Sequence, residues 1–459
     1  MKSTGFIIFL LIIVLIINTL CTIADEREDL NDEIQQLKQM MKEMQNRLDN
    51  LESRNKDLEE KLELKNDEAE SMVSTAESSP VDGGYIQRVI QSLNPDISAI
   101  GIFSAAYFSQ DDPLQGAEND PDATGIDLQE LELAFSGSID PYFRVDSYFS
   151  LSKDSIEAEE AFATTLTTLP LNSQFRIGIM RSKFGRINTQ HRHVQDFVTL
   201  PLVVNSFLGE HLHPAAFEAN FLLPLPWFAE FSAAVGIPSD ESPSFNTDDI
   251  GNDVGLLLYV FHLSNFFEVS NSLSLNIGGS FATGANGTGR DNRTNLYGTD
   301  FFAKYRPLRN SPYQEILLQS EFMYRDEETD EGNLDEYGFY IQLVYRFAKR
   351  WNTGLRFGLV NPVDPVEADE SFTEAEIMNN DPVFTKSNNG ENGINDLSEL
   401  GLLGLEYRIS AMLTFNPSEF SRIRLEYDYT HPDPGFADSQ SALYLQFQYS
   451  LGAHGAHPY

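Results

Sequence analysis

Six of the eight histidines of this 459-residue chain stand in three pairs, His191/His193, His211/His213 and His454/His457. Imidazoles at i and i+2 of an extended segment point the same way. His191, His193, His211 and His213, four on one stretch, could therefore share a Zn²⁺ or Cu²⁺, or could instead hydrogen-bond that stretch to its surroundings. Acidic runs at Glu118, Asp120 and Asp122, and from Asp326 to Glu331, offer oxygen donors to Ca²⁺ without the ordered spacing of a dedicated site. No Gly-x-Ser-x-Gly, His-Glu-x-x-His or glycine-rich phosphate loop occurs. The reading is accordingly of a non-enzyme that requires no cofactor, with Zn or Ca binding left open.

A second chemical set is cationic: Arg144, Arg176, Arg186, Arg192, Arg346, Arg356, Arg408, Arg422 and Arg424. Asp146, Glu157, Glu159, Glu321, Glu406, Glu426 and Asp428 recur with the same phase. In a pore, rings of Arg favour anions and rings of Asp or Glu favour cations; the alternative is a transverse field of paired charges.

What puts these charges on one face is a period of two. In the last strand Leu443, Leu445, Phe447, Tyr449 and Leu451 alternate with Tyr444, Gln446, Gln448 and Ser450. Ile423, Leu425, Tyr427 and Tyr429 alternate with Arg422, Arg424, Glu426 and Asp428, and Phe339 to Phe347 behaves alike. One face of each strand suits lipid and the other a wet interior, over lengths near the ~9–11 residues a membrane strand needs. Sixteen antiparallel strands are predicted, with fourteen or eighteen as the alternatives, at 97–108, 127–139, 143–151, 156–166, 174–184, 215–223, 227–237, 253–261, 272–283, 294–306, 314–325, 335–347, 351–360, 402–415, 421–430 and 440–452. Short turns such as Asp140-Pro141 then fall on the periplasmic side. Long loops, 110–126, 184–214, 238–252 and 361–401, fall outside, as in an outer-membrane barrel. The predicted fold class is an all-β, 16-stranded transmembrane barrel over 96–459. Its third outside loop, Phe184 to Pro214, would enter the lumen and constrict it.

The stretch before the barrel is of another kind. Residues 1–24, with a largely apolar run from Phe6 to Leu20, read as a signal peptide cut after Ala24, which would remove Cys21, the single cysteine. Ile34, Leu37, Met41, Met44, Leu48, Leu51, Asn55, Leu58 and Leu62 keep an unbroken heptad seam, so residues 27–65 are predicted as a periplasmic coiled coil. Such a polar helix needs partners, the simplest being copies of itself. Residues 66–95 read as a linker. The formal charge of -39 argues against nucleic acid and for solvated acidic loops, while 33 Phe and 18 Tyr supply interfacial girdles.

The run 131–146, with Glu159-Glu160-Ala161-Phe162, Arg176-Ile177-Gly178 and Phe184-Gly185-Arg186-Ile187-Asn188, resembles the phosphate-selective porins O and P. The His-x-His, Asp-Phe-Val and Pro-Leu-Val elements at 191–204, and the closing Gly452 to Tyr459, are similar to a branch labelled zinc-regulated, TonB-dependent outer-membrane receptors. A coil ahead of a barrel is similar to that of trimeric sucrose porins. The resemblance implies a sixteen-stranded, trimeric, passive channel for small hydrophilic solutes, surrounded by outer-membrane lipid and lipopolysaccharide. Where the phosphate-selective family uses a lysine cluster, this chain has few barrel lysines, such as Lys183 and Lys304. Two further readings stand beside the porin: a trimeric tether linking the outer membrane to the cell wall or inner membrane, and a zinc-related uptake protein.

Overall fold

The computed structural model describes residues 95–452 without 111–113, 115–116, 118, 154, 167–168, 240–241, 247–256, 290–291, 308–312, 330–331, 364–404 and 433–437. The predicted signal peptide, coiled coil, nearly all of the linker and the final His-containing tail lie outside the described residues.

Sixteen strands form one closed barrel, each paired antiparallel with its neighbours in sequence and the last with the first. In order they are β1(Asp96–Phe108), β2(Gly125–Ser138), β3(Phe143–Leu151), β4(Ile156–Thr165), β5(Ser173–Ile179), β6(Ala215–Leu222), β7(Phe228–Ile237) and β8(Leu258–Ser270). The second half comprises β9(Leu273–Ala285), β10(Arg293–Tyr305), β11(Glu315–Thr329), β12(Gly332–Ala348), β13(Trp351–Pro362), β14(Glu406–Ser418), β15(Ser421–His431) and β16(Gln440–Gly452). Closure leaves no strand edge unpaired, the only way a sheet satisfies its backbone in hydrocarbon. Ala99 faces Leu451 and Phe103 faces Phe447 across the seam.

The outward residues remain bare. Leu355 is 62% exposed, Leu445 51% and Leu343 46%, a belt intolerable in water and natural in lipid. Aromatic rings step across it from strand to strand: Phe231 to Phe261 at 6.4 Å, Phe261 to Phe281 at 6.4 Å, Phe281 to Tyr297 at 5.0 Å, Tyr297 to Tyr324 at 6.2 Å.

The strand count matches the sequence reading, and the largest boundary displacements fall in two strands. β5 stops at Ile179 rather than 184, because Met180, Arg181, Ser182 and Phe184 are buried within the barrel and have no lipid face. β8 runs over Leu258–Ser270 rather than 253–261. Its inward Leu258 and Val260 are buried and apolar, so Leu256 to Phe261 reads as one greasy run without a register.

Gly178 in β5 has φ of 138°, and a Cβ there would lie 2.1 Å from the Ala161 carbonyl oxygen and 2.7 Å from Phe162 Cα. Both obstacles are backbone of β4 and cannot swing away. Gly178→Val is expected to cost at least ~1–3 kcal/mol and lower the yield of folded barrel, read as the heat-modifiable band on gels. An undiminished band would contradict the tight β4–β5 approach.

Candidate functional site

The segment between β5 and β6, residues 180–214, folds inside the barrel. Gly185, at φ of 63°, turns the chain inward, and its N–H donates to Ser280 Oγ at 2.8 Å. A side chain here would collide with the Glu321 carboxylate. The Ile187 N–H donates to Glu321 Oε1 at 2.8 Å, and the Tyr340 hydroxyl donates to the same oxygen at 2.6 Å. Asn188 clasps the two legs of the segment: its Nδ2 donates to the carbonyls of Ser182 (2.8 Å) and Leu212 (3.1 Å), and its Oδ1 accepts the Leu212 N–H at 2.8 Å.

Beyond it the chain forms α1(Leu202–Leu208), entered through Pro201 and ended by Gly209 at φ of 73°. All its residues but Asn205 are buried, and it packs on β11, β12 and β13. Phe184, Ile187, Leu200, Val203, Val204, Phe207, Leu208 and Leu212 join inward Leu258, Val260, Leu296, Met323 and Val360 in one apolar core. Each large side chain so buried contributes about 1.5–3 kcal/mol, which explains why lumen-facing positions of β8 to β13 are not uniformly polar.

The opposite flank of the loop is fastened by polar contacts. Glu426 accepts the N–H groups of Val198 (2.5 Å) and Thr199 (3.4 Å). The Thr199 hydroxyl donates to Asp428 at 2.8 Å and accepts from Arg356 at 2.7 Å. Arg356 also reaches the Thr199 carbonyl at 2.6 Å, Arg424 the Gln195 carbonyl at 2.6 Å, and Arg422 the His193 carbonyl at 2.8 Å.

Five of the predicted lumen residues, Glu321, Arg422, Arg424, Glu426 and Asp428, therefore hold the loop, and the others pair elsewhere. Arg424, Glu321, Glu426 and Asp428 are buried to 2% exposure or less, and Arg408, at 7%, donates to Thr430 at 2.9 Å. Arg192 is clamped between Asp120 at 2.6 Å and Glu210 at 2.7 Å. Arg176 pairs with Glu218 at 2.8 Å. Arg186 lies over the Phe302 ring at 3.8 Å and is only partly buried. Arg144 and Arg346 keep side-chain exposures of 43% and 35% while meeting Asp146 (2.8 Å) and Glu315 (3.3 Å).

The histidines divide. His191 Nδ1 lies 2.9 Å from Glu132 and 3.4 Å from Glu159, its Nε2 lies 2.8 Å from Glu160, and His193 Nδ1 is 3.2 Å from Glu132. His211 and His213 do not complete a four-histidine centre: His213 Nδ1 faces the His211 carbonyl at 3.0 Å. Among the described residues, the metal-ligating atoms that converge belong to Glu132, Glu159 and His191, all within 4.8 Å of one another.

Two β-bulges build this cluster. Tyr148 pairs with Glu160 but Phe149 with Ala158, which leaves Glu159 as an extra residue in β4. A strict alternation would turn Glu160 outward; the bulge lets Glu159 and Glu160 both face His191. In β2 the partners step from Glu130 to Leu128, so Gln129 is extra beside buried Glu130. Arg181, another residue the alternation does not reveal, donates to Glu159 at 2.7 Å, to the Gln190 carbonyl at 2.8 Å and, through its N–H, to Glu160 at 2.7 Å.

Burial and Arg181 oppose a charge on His191, but the Glu132 charge and the hydrogen bonds of Glu132 and Glu159 overcome them and raise its pKa well above the usual value. Both ring nitrogens face carboxylate oxygens, as in an imidazolium donating twice. His211 goes the other way: burial, with Arg181 and Arg192 nearby, holds its pKa well below normal.

No family model matches the chain. It is 31% identical over 367 residues to an uncharacterized protein of Aquifex aeolicus (strain VF5), covering 73% of this chain and 70% of that one. Among solved structures it is similar to OprB of Pseudomonas putida, with a TM-score of 0.50 at 12% identity over 80% of this chain and 97% of that one. The anion-selective porin from Comamonas acidovorans gives a TM-score of 0.49 at 9% identity over 78% of this chain and 100% of that one. At 12% identity the likeness to OprB is one of fold, the closed barrel. The chain belongs to the same family as the Aquifex aeolicus protein.

Proposed function

We propose that this chain is an outer-membrane channel through which small hydrophilic solutes or ions diffuse passively, narrowed by the loop at 180–214. The observation that carries this reading is a closed barrel, greasy outside and charged inside, with one loop fastened across its interior. The passage runs past charged groups that stay partly exposed: Lys183 and Arg186 on the loop, Arg144, Lys304 and Arg346 on the wall, and Glu230 beside Lys183. Five of these six are cationic, and Lys183, Arg144, Lys304 and Arg346 each stand near an acidic partner, so the path combines an Arg/Lys bias with a transverse field. The finer affiliation, with phosphate-selective porins, rests on the motif resemblance at 128–213. A homotrimer with its coil in the periplasm rests on the heptad seam at 34–62.

Reversal potential across a salt gradient in planar bilayers tests the reading. Discrete ohmic steps are expected, and the double variant Arg144→Glu, Arg346→Glu should move the reversal potential toward cation preference, because it inverts two of the exposed lumen charges. A folded protein that never conducts would overturn the channel in favour of the tether. An unmoved reversal potential would remove these residues from the path.

A further inference from the structure

Six buried or nearly buried carboxylates gather where the loop leaves the wall: Asp120, Glu130, Glu132, Glu159, Glu160 and Glu210. Two guanidinium groups, Arg181 and Arg192, meet them. Even with His191 protonated, negative charge exceeds positive charge in a place shielded from solvent, and an uncompensated buried charge is costly. The excess is concentrated where Glu132 and Glu159, from different strands, approach one nitrogen of one imidazole.

We propose that Glu132, Glu159 and His191 form a binding site for a divalent transition-metal ion of the zinc class, which staples the inserted loop to β2 and β4. The donor set, one imidazole nitrogen and two carboxylate oxygens, is of the type such ions take. Two of the three donor spacings are close to what a tetrahedral ion asks: metal arms of about 2.0–2.1 Å put neighbouring donors roughly 3.3 Å apart. The present separations from His191 Nδ1 are 2.9 and 3.4 Å. The other nitrogen of His191 faces Glu160 at 2.8 Å, and Glu160 is itself fixed by the Arg181 N–H. A carboxylate on the far side of a ligating histidine is the arrangement that orients such rings at metal centres. His193, 3.2 Å from Glu132 and stacked on His191 at 5.7 Å, flanks the site but stands outside the three converging donors. The β4 bulge gives this geometry a purpose, since it turns one carboxylate to the ion and its neighbour to the ring behind it.

The donors come from three segments far apart in sequence, so the ion would cross-link loop to wall. The site is independent of whether the barrel conducts, and its test uses no conductance. The folded full-length protein in detergent is stripped with chelator, dialysed against Zn²⁺ alone, and its metal content measured. The parent and His262→Gln, altered on β8 four strands along the wall from β4, are expected to retain stoichiometric Zn²⁺. His191→Gln and Glu132→Gln are expected to lose it. Equal retention by all four, or none by the parent, would overturn the site. Should the two variants fail to fold, Co²⁺ added to the parent decides. Intense visible bands displaced by Zn²⁺ are expected, whereas the weak spectrum of aqueous cobalt would overturn the proposal.

Discussion

Glu426→Ala is expected to free the loop from β15 and lower the thermal stability of the folded barrel by the equivalent of roughly 3–5 kcal/mol, the range for removing one partner of a buried charged network. Glu426 is 1% exposed and accepts the Val198 and Thr199 N–H groups, while Arg356 lies 3.8 Å away. Alanine leaves two buried amide donors without acceptors and a buried guanidinium short of its counter-charge, and water is too scarce there to replace either. The deficit falls on the loop first, because the barrel ladder through Glu426 is backbone and survives. Limited proteolysis should then cut within 184–214 at rates the parent does not show. A variant as protease-resistant and heat-stable as the parent would mean that the contact contributes little.

Phe207→Ala should act on the other flank by a different force. Phe207 is fully buried in the apolar core, and the Arg325 guanidinium lies over its ring at 4.8 Å. Truncation of a buried Phe costs about 3–5 kcal/mol through lost transfer energy and the cavity left behind. Both α1 and the wall residues facing it, Val203 and Val204 on one side and Met323 and Val360 on the other, would lose packing. The variant should fold as a barrel, since the lipid belt and strand pairing are untouched, yet exchange its 187–208 amides faster than the parent. Unchanged exchange would show that α1 does not depend on this core.

The two flanks also mark what could be read in the chain and what could not. Strands facing lipid declare themselves, because a lipid face tolerates only apolar residues: Leu443, Leu445, Phe447 and Leu451 announce β16 almost to its ends. The inserted loop was legible as the third outside connection, with its histidines and arginines, by counting. Its anchoring was not. Arg356, Arg422 and Arg424 bind loop carbonyls, and a backbone carbonyl has no letter in the sequence. Leu258, Val260, Leu296 and Met323 interrupt the polar phase of their strands for a reason visible only once α1 lies against them. The bulge at Glu159 defeats the period-two rule at the very residues that gather around His191. In retrospect Glu157, Glu159 and Glu160 in one strand carry a signal, since two adjacent carboxylates cannot both face inward without an irregularity.

The proposed narrowing of the barrel by its inserted loop is tested most directly by paired single-channel recordings of the parent and of a variant whose residues 187–211 are replaced by a short Gly-Ser bridge. The parent should give small, discrete, ohmic steps, and the excised barrel steps several-fold larger, because the loop and its apolar core no longer occupy the interior. Equal steps from both, or no steps from either folded protein, would contradict it.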